Sequence, residues 1–152
     1  MIPDSIPLLI AINAGAWVTL QMALAWSFTR MPARWFHGGS LQAWETGGRI
    51  YERYAGVKAW KALLPDGASW FAGGVPKRRL AGRSTAILQQ FVTESIRGER
   101  THWCAIWVTP LFLLWNPPWA LPFHLVYALA ANLPCIIVQR YNRARLFRAL
   151  KR

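Results

Sequence analysis

The sequence has 152 residues, 54% of them apolar and only 16% charged, where soluble domains usually carry roughly 25% charge. Eighteen Lys and Arg stand against six Asp and Glu, a formal net charge of +12, and there are ten Trp. This length allows one domain. Long uncharged blocks beside the basic excess exclude an ordinary soluble globule and direct the charge to anionic lipid rather than to nucleic acid, with Trp rings favouring the headgroup level.

The first block, residues 5–28, has no charged side chain, and its polar residues include Asn13, Thr19, Gln21 and Ser27. At ~1.5 Å per residue it is long enough as a helix for the ~30 Å hydrocarbon core. A signal peptide fits it badly. No Lys or Arg precedes it, Asp4 does, and no small-residue cleavage site precedes Arg30. A retained membrane helix is expected.

Residues 29–101 form a polar, basic block. Within 41–64 the apolar residues Leu41, Trp44, Tyr51, Tyr54, Val57, Trp60 and Leu64 recur near helical spacing, with charges between them. This pattern predicts an amphipathic helix on the membrane surface, weakened at Gly47-Gly48. Pro65-Asp66-Gly67 is a turn signal, Gly73-Gly74 and Pro76 predict irregular chain, and Lys77-Arg78-Arg79 is a short basic run. A second amphipathic helix is expected over 84–101.

The second apolar block, 103–115, spans only ~20 Å as helix. It crosses the bilayer only if the helix starts near Glu99 or His102, or if the bilayer thins. Asn116-Pro117-Pro118 is a strong stop. The third block, 119–138, is uncharged and long enough to span, and includes His124, Asn132 and Pro134. His124 reads as a packing or interfacial residue. Residues 139–152 form a basic tail. Cys104 and Cys135 sit in apolar surroundings and read as small hydrophobes, with neither disulfide nor zinc site expected.

The expected fold is therefore an all-α integral membrane protein. It has about three membrane helices (5–28, 102–116 and 119–138), the last two possible as a re-entrant hairpin, plus interfacial helices. Twelve basic residues lie in 29–101 and six in the tail, with none before residue 29 or in the 116–118 turn. The positive-inside rule then makes 29–101 and the tail cytoplasmic and places the N-terminus outside.

Chemistry concentrates around Glu94, Arg97, Glu99 and His102. Glu99 and His102 are i,i+3 and share a helix face, so the carboxylate can orient the imidazole as a base. Glu94 and Arg97 are spaced to form a neighbouring pair. Gln139-Arg140-Tyr141-Asn142-Arg143 combines two guanidinium forks with further hydrogen-bonding groups, suited to phosphate or carboxylate. Asn116 and Asn132 either bond between helices or line a headgroup pocket. The alternative for all of these is a solvated helix face and a polybasic flank. No nucleotide loop, nucleophile elbow or metal-ligand spacing is present, so neither a metal nor a bound cofactor is expected.

Several motifs occur in order. Glu45 and Gly48 precede Tyr51-Glu52-Arg53, Val57-Lys58-Ala59-Trp60-Lys61 and Leu64-Pro65-Asp66-Gly67. Phe91 to Glu94, Arg97-Gly98-Glu99 and His102-Trp103 follow. Trp115-Asn116-Pro117 and Asn132-Leu133-Pro134 lead into Gln139-Arg140-Tyr141-Asn142-Arg143. Over roughly 44–145 the chain resembles the glycosyl-4,4'-diaponeurosporenoate acyltransferase family of staphyloxanthin biosynthesis. The resemblance implies a membrane acyltransferase that esterifies the sugar of a glycosylated carotenoid with a fatty acyl group. The donor would be acyl-CoA or acyl carrier protein. By position, His102 would be the base assisted by Glu99, and Arg97, Arg140 and Arg143 would hold donor or sugar. The richness in Trp, Ala and Arg departs from the family and leaves the acceptor open. The alternatives are another lipid-modifying membrane enzyme, or a non-catalytic scaffold that binds anionic lipid.

Overall fold

The structure is a computed structural model that describes residues 5–64 and 84–151. The turn, irregular stretch and basic run expected between residues 65 and 79 lie outside the described residues. Among the described residues there are helices and connecting turns, with no strand.

Helix α1 runs over Ile6–Arg30, close to the expected span, with a proline in its first turn. Its surface is almost all outward-facing and apolar: Ile6, Leu8, Ile10 and Val18 are exposed, and Trp17 is its one buried residue. After a short 3₁₀ turn at Ala33–Phe36, the amphipathic stretch proves to be several pieces. These are a 3₁₀ turn at Ala43–Gly48, helix α2 at Arg49–Ala55, helix α3 at Val57–Trp60 and a final turn at Lys61–Leu63. The break expected at Gly47-Gly48 is present. A second falls at Gly56, whose positive φ of 54° ends α2.

Helix α4, Thr85–Trp107, is capped by Ser84, whose Oγ accepts from the Ile87 amide. It corrects the expected helix at 102–116, because the second amphipathic helix and the start of the second apolar block are one continuous element. α4 stops at Val108, and a 3₁₀ stretch, Thr109–Leu114, completes the block. Pro110 supplies the reason, since it has no N–H and disfavours helix in the residue before it. The third helix also runs past its expected end at residue 138. Helix α5, Leu121–Leu150, carries the third apolar block straight on into the basic residues, through Pro134.

Two elements, Ile6–Arg30 and Pro118–Leu150, are long and apolar enough to cross a membrane, and both leave most of their apolar surface uncovered. The core of a soluble protein would bury it, so the two helices fit a membrane protein.

α4 and α5 form the main packed pair. Near one end, Trp17 of α1 stacks on Phe112 with ring centroids 4.5 Å apart, over Ala128 of α5. Asn13 and Asn116 exchange hydrogen bonds there at 2.8 and 2.9 Å, and Trp115 Nε1–H donates to Asn13 Oδ1. Near the other end, Arg97 donates to the Met31 carbonyl and Arg100 to the Trp35 carbonyl. From this level to that one, α1 rises ~27 Å over residues 13–31. The last turns of α4 with the looser 3₁₀ stretch cover about the same height.

Candidate functional site

The polar groups gather where α4 and α5 leave their apolar stretches and the 43–64 segment packs over them. Gly98 makes the close approach possible. A Cβ there would lie 2.7 Å from Gln139 Nε2 and 3.0 Å from its Cδ. Two layers result, one turn of α4 apart.

In the first layer, His102 Nδ1 lies 2.9 Å from Asn132 Oδ1. Asn132 is buried, and its Nδ2 donates to the Ala128 carbonyl at 2.8 Å. The amide is thereby oriented with its oxygen towards the ring. An amide oxygen only accepts, so Nδ1 carries a proton, and whenever the imidazole is neutral its basic lone pair is on Nε2.

The second layer is ionic. Arg140 grips Glu45 side-on, with Nε to Oε1 at 2.9 Å and Nη2 to Oε2 at 2.8 Å, while Nη1 donates to Glu99 Oε1 at 2.6 Å. Arg143 Nη2 donates to the other oxygen of Glu99. Tyr51 O–H donates to Glu45, and the Gln42 amide donates to Glu45 Oε2 at 2.5 Å. Glu45 is wholly buried. Burial opposes its charge, but the bonds from Arg140, Tyr51 and Gln42 outweigh it and hold the carboxyl below its ordinary range. Burial and the neighbouring carboxylate push the Tyr51 phenol up to about 12, so it remains a donor. Two carboxylates face two guanidinium groups, and the layer is charge-balanced.

This balance is not matched by full hydrogen bonding. Among the described residues, Arg143 Nε and Nη1 and Gln139 Oε1 are buried without partners, as is Arg97 Nε. Arg143 is 2% exposed and Gln139 7%. Leaving such a group unmet typically costs about 1–3 kcal/mol.

The structure sorts the expected residues as follows. Glu99 and His102 do share the face turned to α5, as their spacing predicted, but they meet different partners there. The role of orienting Nδ1 passes from Glu99 to Asn132, because both Glu99 oxygens accept from arginine. Glu94 and Arg97 form their expected pair at 2.9 Å, and Arg97 lies over the Phe36 ring. Tyr141 is buried against Tyr51 and Val57, and its O–H donates to Glu52 at 2.6 Å, so it fastens α2 to α5. That bond holds the Glu52 carboxyl below its ordinary range, aided by Lys58. Asn142 is two residues from Arg140, which puts it on another side of α5. Asn116 belongs to the clasp with Asn13 at the far end, ~28 Å along α5 from Arg140. His124 accepts from Trp17 Nε1–H at 3.2 Å inside the aromatic cluster.

The sequence reading left Glu45 and Tyr51 out of the site. The available signal was a rare acid in a basic segment, three residues after Gln42 in capping-box spacing. Nothing local points from it to Arg140, 95 positions away.

A family model described as glycosyl-4,4'-diaponeurosporenoate acyltransferase matches residues 32–152. Two relatives carry that same name. The protein of Staphylococcus haemolyticus (strain JCSC1435) is 28% identical over 139 residues, 89% of this chain and 81% of its own. That of Staphylococcus aureus (strain USA300) is 29% identical over 140 residues, 89% of this chain and 84% of its own. No solved structure matches.

Proposed function

The chain belongs to the glycosyl-4,4'-diaponeurosporenoate acyltransferase family, and from that membership and the site geometry we propose that it is a membrane O-acyltransferase. It esterifies a sugar hydroxyl of a glycosylated terpenoid, a carotenoid or related glycolipid, with a fatty acyl group. The observation that carries this reading is the hydrogen bond between His102 Nδ1 and Asn132 Oδ1.

In that tautomer Nε2 takes the hydroxyl proton as the sugar oxygen attacks the acyl carbonyl of a thioester donor, acyl-CoA or acyl carrier protein. The tetrahedral adduct collapses, the carbon–sulfur bond breaks, and the thiolate leaves with the proton returned from Nε2. Asn132 is the positioning residue for His102. Glu99 braces Arg140 and Arg143, so the two helices hold their spacing while the base acts. Arg140, engaged by two carboxylates and Tyr51, is read as a brace rather than a substrate ligand.

The basic face is cytoplasmic in this reading, with residues 29–101 and the end of α5 inside and the N-terminus and the 116–118 turn outside. α1, the α4–3₁₀ segment and α5 are the three crossings. An acceptor with a lipid-borne apolar chain then presents its sugar at the level of His102, and an acyl donor reaches it from the cytoplasm.

The test expresses wild type, His102→Ala, Asn132→Ala and Asn132→Asp, with labelled acyl donor and a glycosylated diapocarotenoid. His102→Ala is expected to lose 10²–10⁴-fold in rate. Asn132→Ala loses less, and Asn132→Asp, which keeps an acceptor oxygen, recovers part of the loss. Full product yield from His102→Ala would overturn the base assignment. No product from wild type, with anionic lipid still bound, would favour the scaffold.

A further inference from the structure

We propose that Lys61 and Arg145 form a binding site for the phosphate of an anionic phospholipid in the cytoplasmic leaflet, on the side of α5 turned away from His102. The site goes beyond the acyltransferase reading and stands independently of it.

Two cations meet over one ring. Lys61 Nζ lies 5.1 Å from the centre of the Tyr141 ring, and Arg145 Cζ lies 5.9 Å from it. Tyr141 is buried and its O–H is tied to Glu52, so the floor beneath the two cations is fixed. Lys61 belongs to the turn that closes the 43–64 segment and Arg145 to α5. Arg145 is exposed and Lys61 half-buried, so an anion reaches both from solvent.

Among the described residues, this cluster is short of acids. Glu45 and Glu99 are engaged by Arg140 and Arg143, and Glu94 by Arg97. Glu52 alone is left to face Lys58, Lys61, Arg145 and Arg148, and its ion pair is with Lys58 at 3.7 Å. Three positive charges therefore gather without an acid. Burial and the neighbouring Arg145 hold the Lys61 amine below its ordinary range, which marks a charge opposed by its surroundings. An anion placed between the cations relieves that opposition. A phosphodiester suits the pair, since its oxygens only accept, one from the ammonium and one from the guanidinium.

Position selects a lipid over the acyl donor. Tyr141 lies nine residues beyond Asn132, about two and a half turns, so the cluster is on the opposite side of α5 from His102. A donor held there by its phosphates would present its thioester away from the base. Depth agrees with a headgroup. α5 is uncharged up to Val138, and Arg145 stands about 10 Å beyond it, just outside a ~30 Å hydrocarbon core. Tyr54 and Leu63, exposed on the same segment as Lys61, supply apolar groups that enter the interface beside the cations.

The experiment titrates the full chain in detergent with phosphatidylglycerol, phosphatidylcholine or coenzyme A, and counts bound molecules by native mass spectrometry. Wild type is expected to take up one phosphatidylglycerol in preference to phosphatidylcholine. Lys61→Gln and Arg145→Gln each weaken that binding about tenfold, the loss of one charge-assisted hydrogen bond. Lys61→Arg retains it. Arg53→Gln removes the same charge from the exposed face of α2 and changes binding less than about twofold, as a screened surface charge does.

Equal weakening by Arg53→Gln would reduce the site to diffuse attraction and overturn the proposal. So would equal uptake of phosphatidylcholine. Displacement of phosphatidylglycerol by coenzyme A at equal concentration would assign the cluster to a soluble phosphate compound instead of a lipid.

Discussion

Glu45 shows how much a single residue organises in this molecule. It carries one of six negative charges in the chain, is wholly buried, and receives bonds from three directions. Removing its charge leaves Arg140 and Arg143 to share Glu99 alone, one buried positive charge in excess, at a cost of up to about 3–5 kcal/mol. Glu45→Gln should therefore lower the thermal unfolding temperature sharply, measured by circular dichroism in detergent. Acidification is a milder form of the same change. Because the folded-state pKa of Glu45 is lowered, its stabilisation is fully present above the ordinary carboxylate value of 4.5 and is lost as pH falls through the depressed one. Wild type should lose stability over that interval, and Glu45→Gln should show a flatter profile there. Equal slopes in the two proteins would mean that Glu45 is not the group titrating.

At the scale of elements, the docking of the 43–64 segment on α5 depends on one backbone position. Gly48 has φ of 89°, in the left-handed region, and joins the 3₁₀ turn to α2. A Cβ there would lie 2.6 Å from Cβ of Ala144. Gly48→Ala thus meets backbone strain of about 1–2 kcal/mol and overpacking of about 1–3 kcal/mol together. The expected result is early unfolding of this segment, seen as faster proteolysis after Arg49 or Arg53 than in wild type, with α1 and α5 still helical. Wild-type resistance would show that the segment is held chiefly by Arg140 and Tyr141. The glycine break itself was legible, since Gly47-Gly48 interrupts the amphipathic pattern. What the pattern omitted was α5 pressing on the break, a contact between residues nearly a hundred positions apart.

For the whole molecule, the charge distribution makes a topological claim that labelling can check. In a chain whose two cysteines are replaced by serine, a single cysteine at Arg53 should react with an impermeant maleimide only after the cells are opened. One at Trp119 should react from outside. Both positions are exposed. Reaction of both from the same side would remove the middle crossing and make the 103–115 block re-entrant. The outcome bears on function as well, since it decides whether His102 and the layer around Arg140 face the compartment that supplies acyl thioesters.

The sequence by itself determined the two long apolar helices, the gathering of every basic residue into two segments, the family, and the shared face of Glu99 and His102. These follow from composition and from the helical period, which are local properties of the chain. Only the tertiary structure decided which groups meet on that face. Glu99 went to Arg140 and Arg143, and His102 to Asn132, 30 residues away. Helical spacing says which side chains point together but not what stands opposite. The opposite groups depend on the register of α5 against α4, set by the close contact at Gly98, and on Glu45 arriving from a distant segment to balance the charge. The buried atoms left unmet at Gln139 and Arg143 belong to that same packing. Residues 139–143 alone show extra hydrogen-bonding groups between two arginines, but not which buried carboxylates those arginines meet.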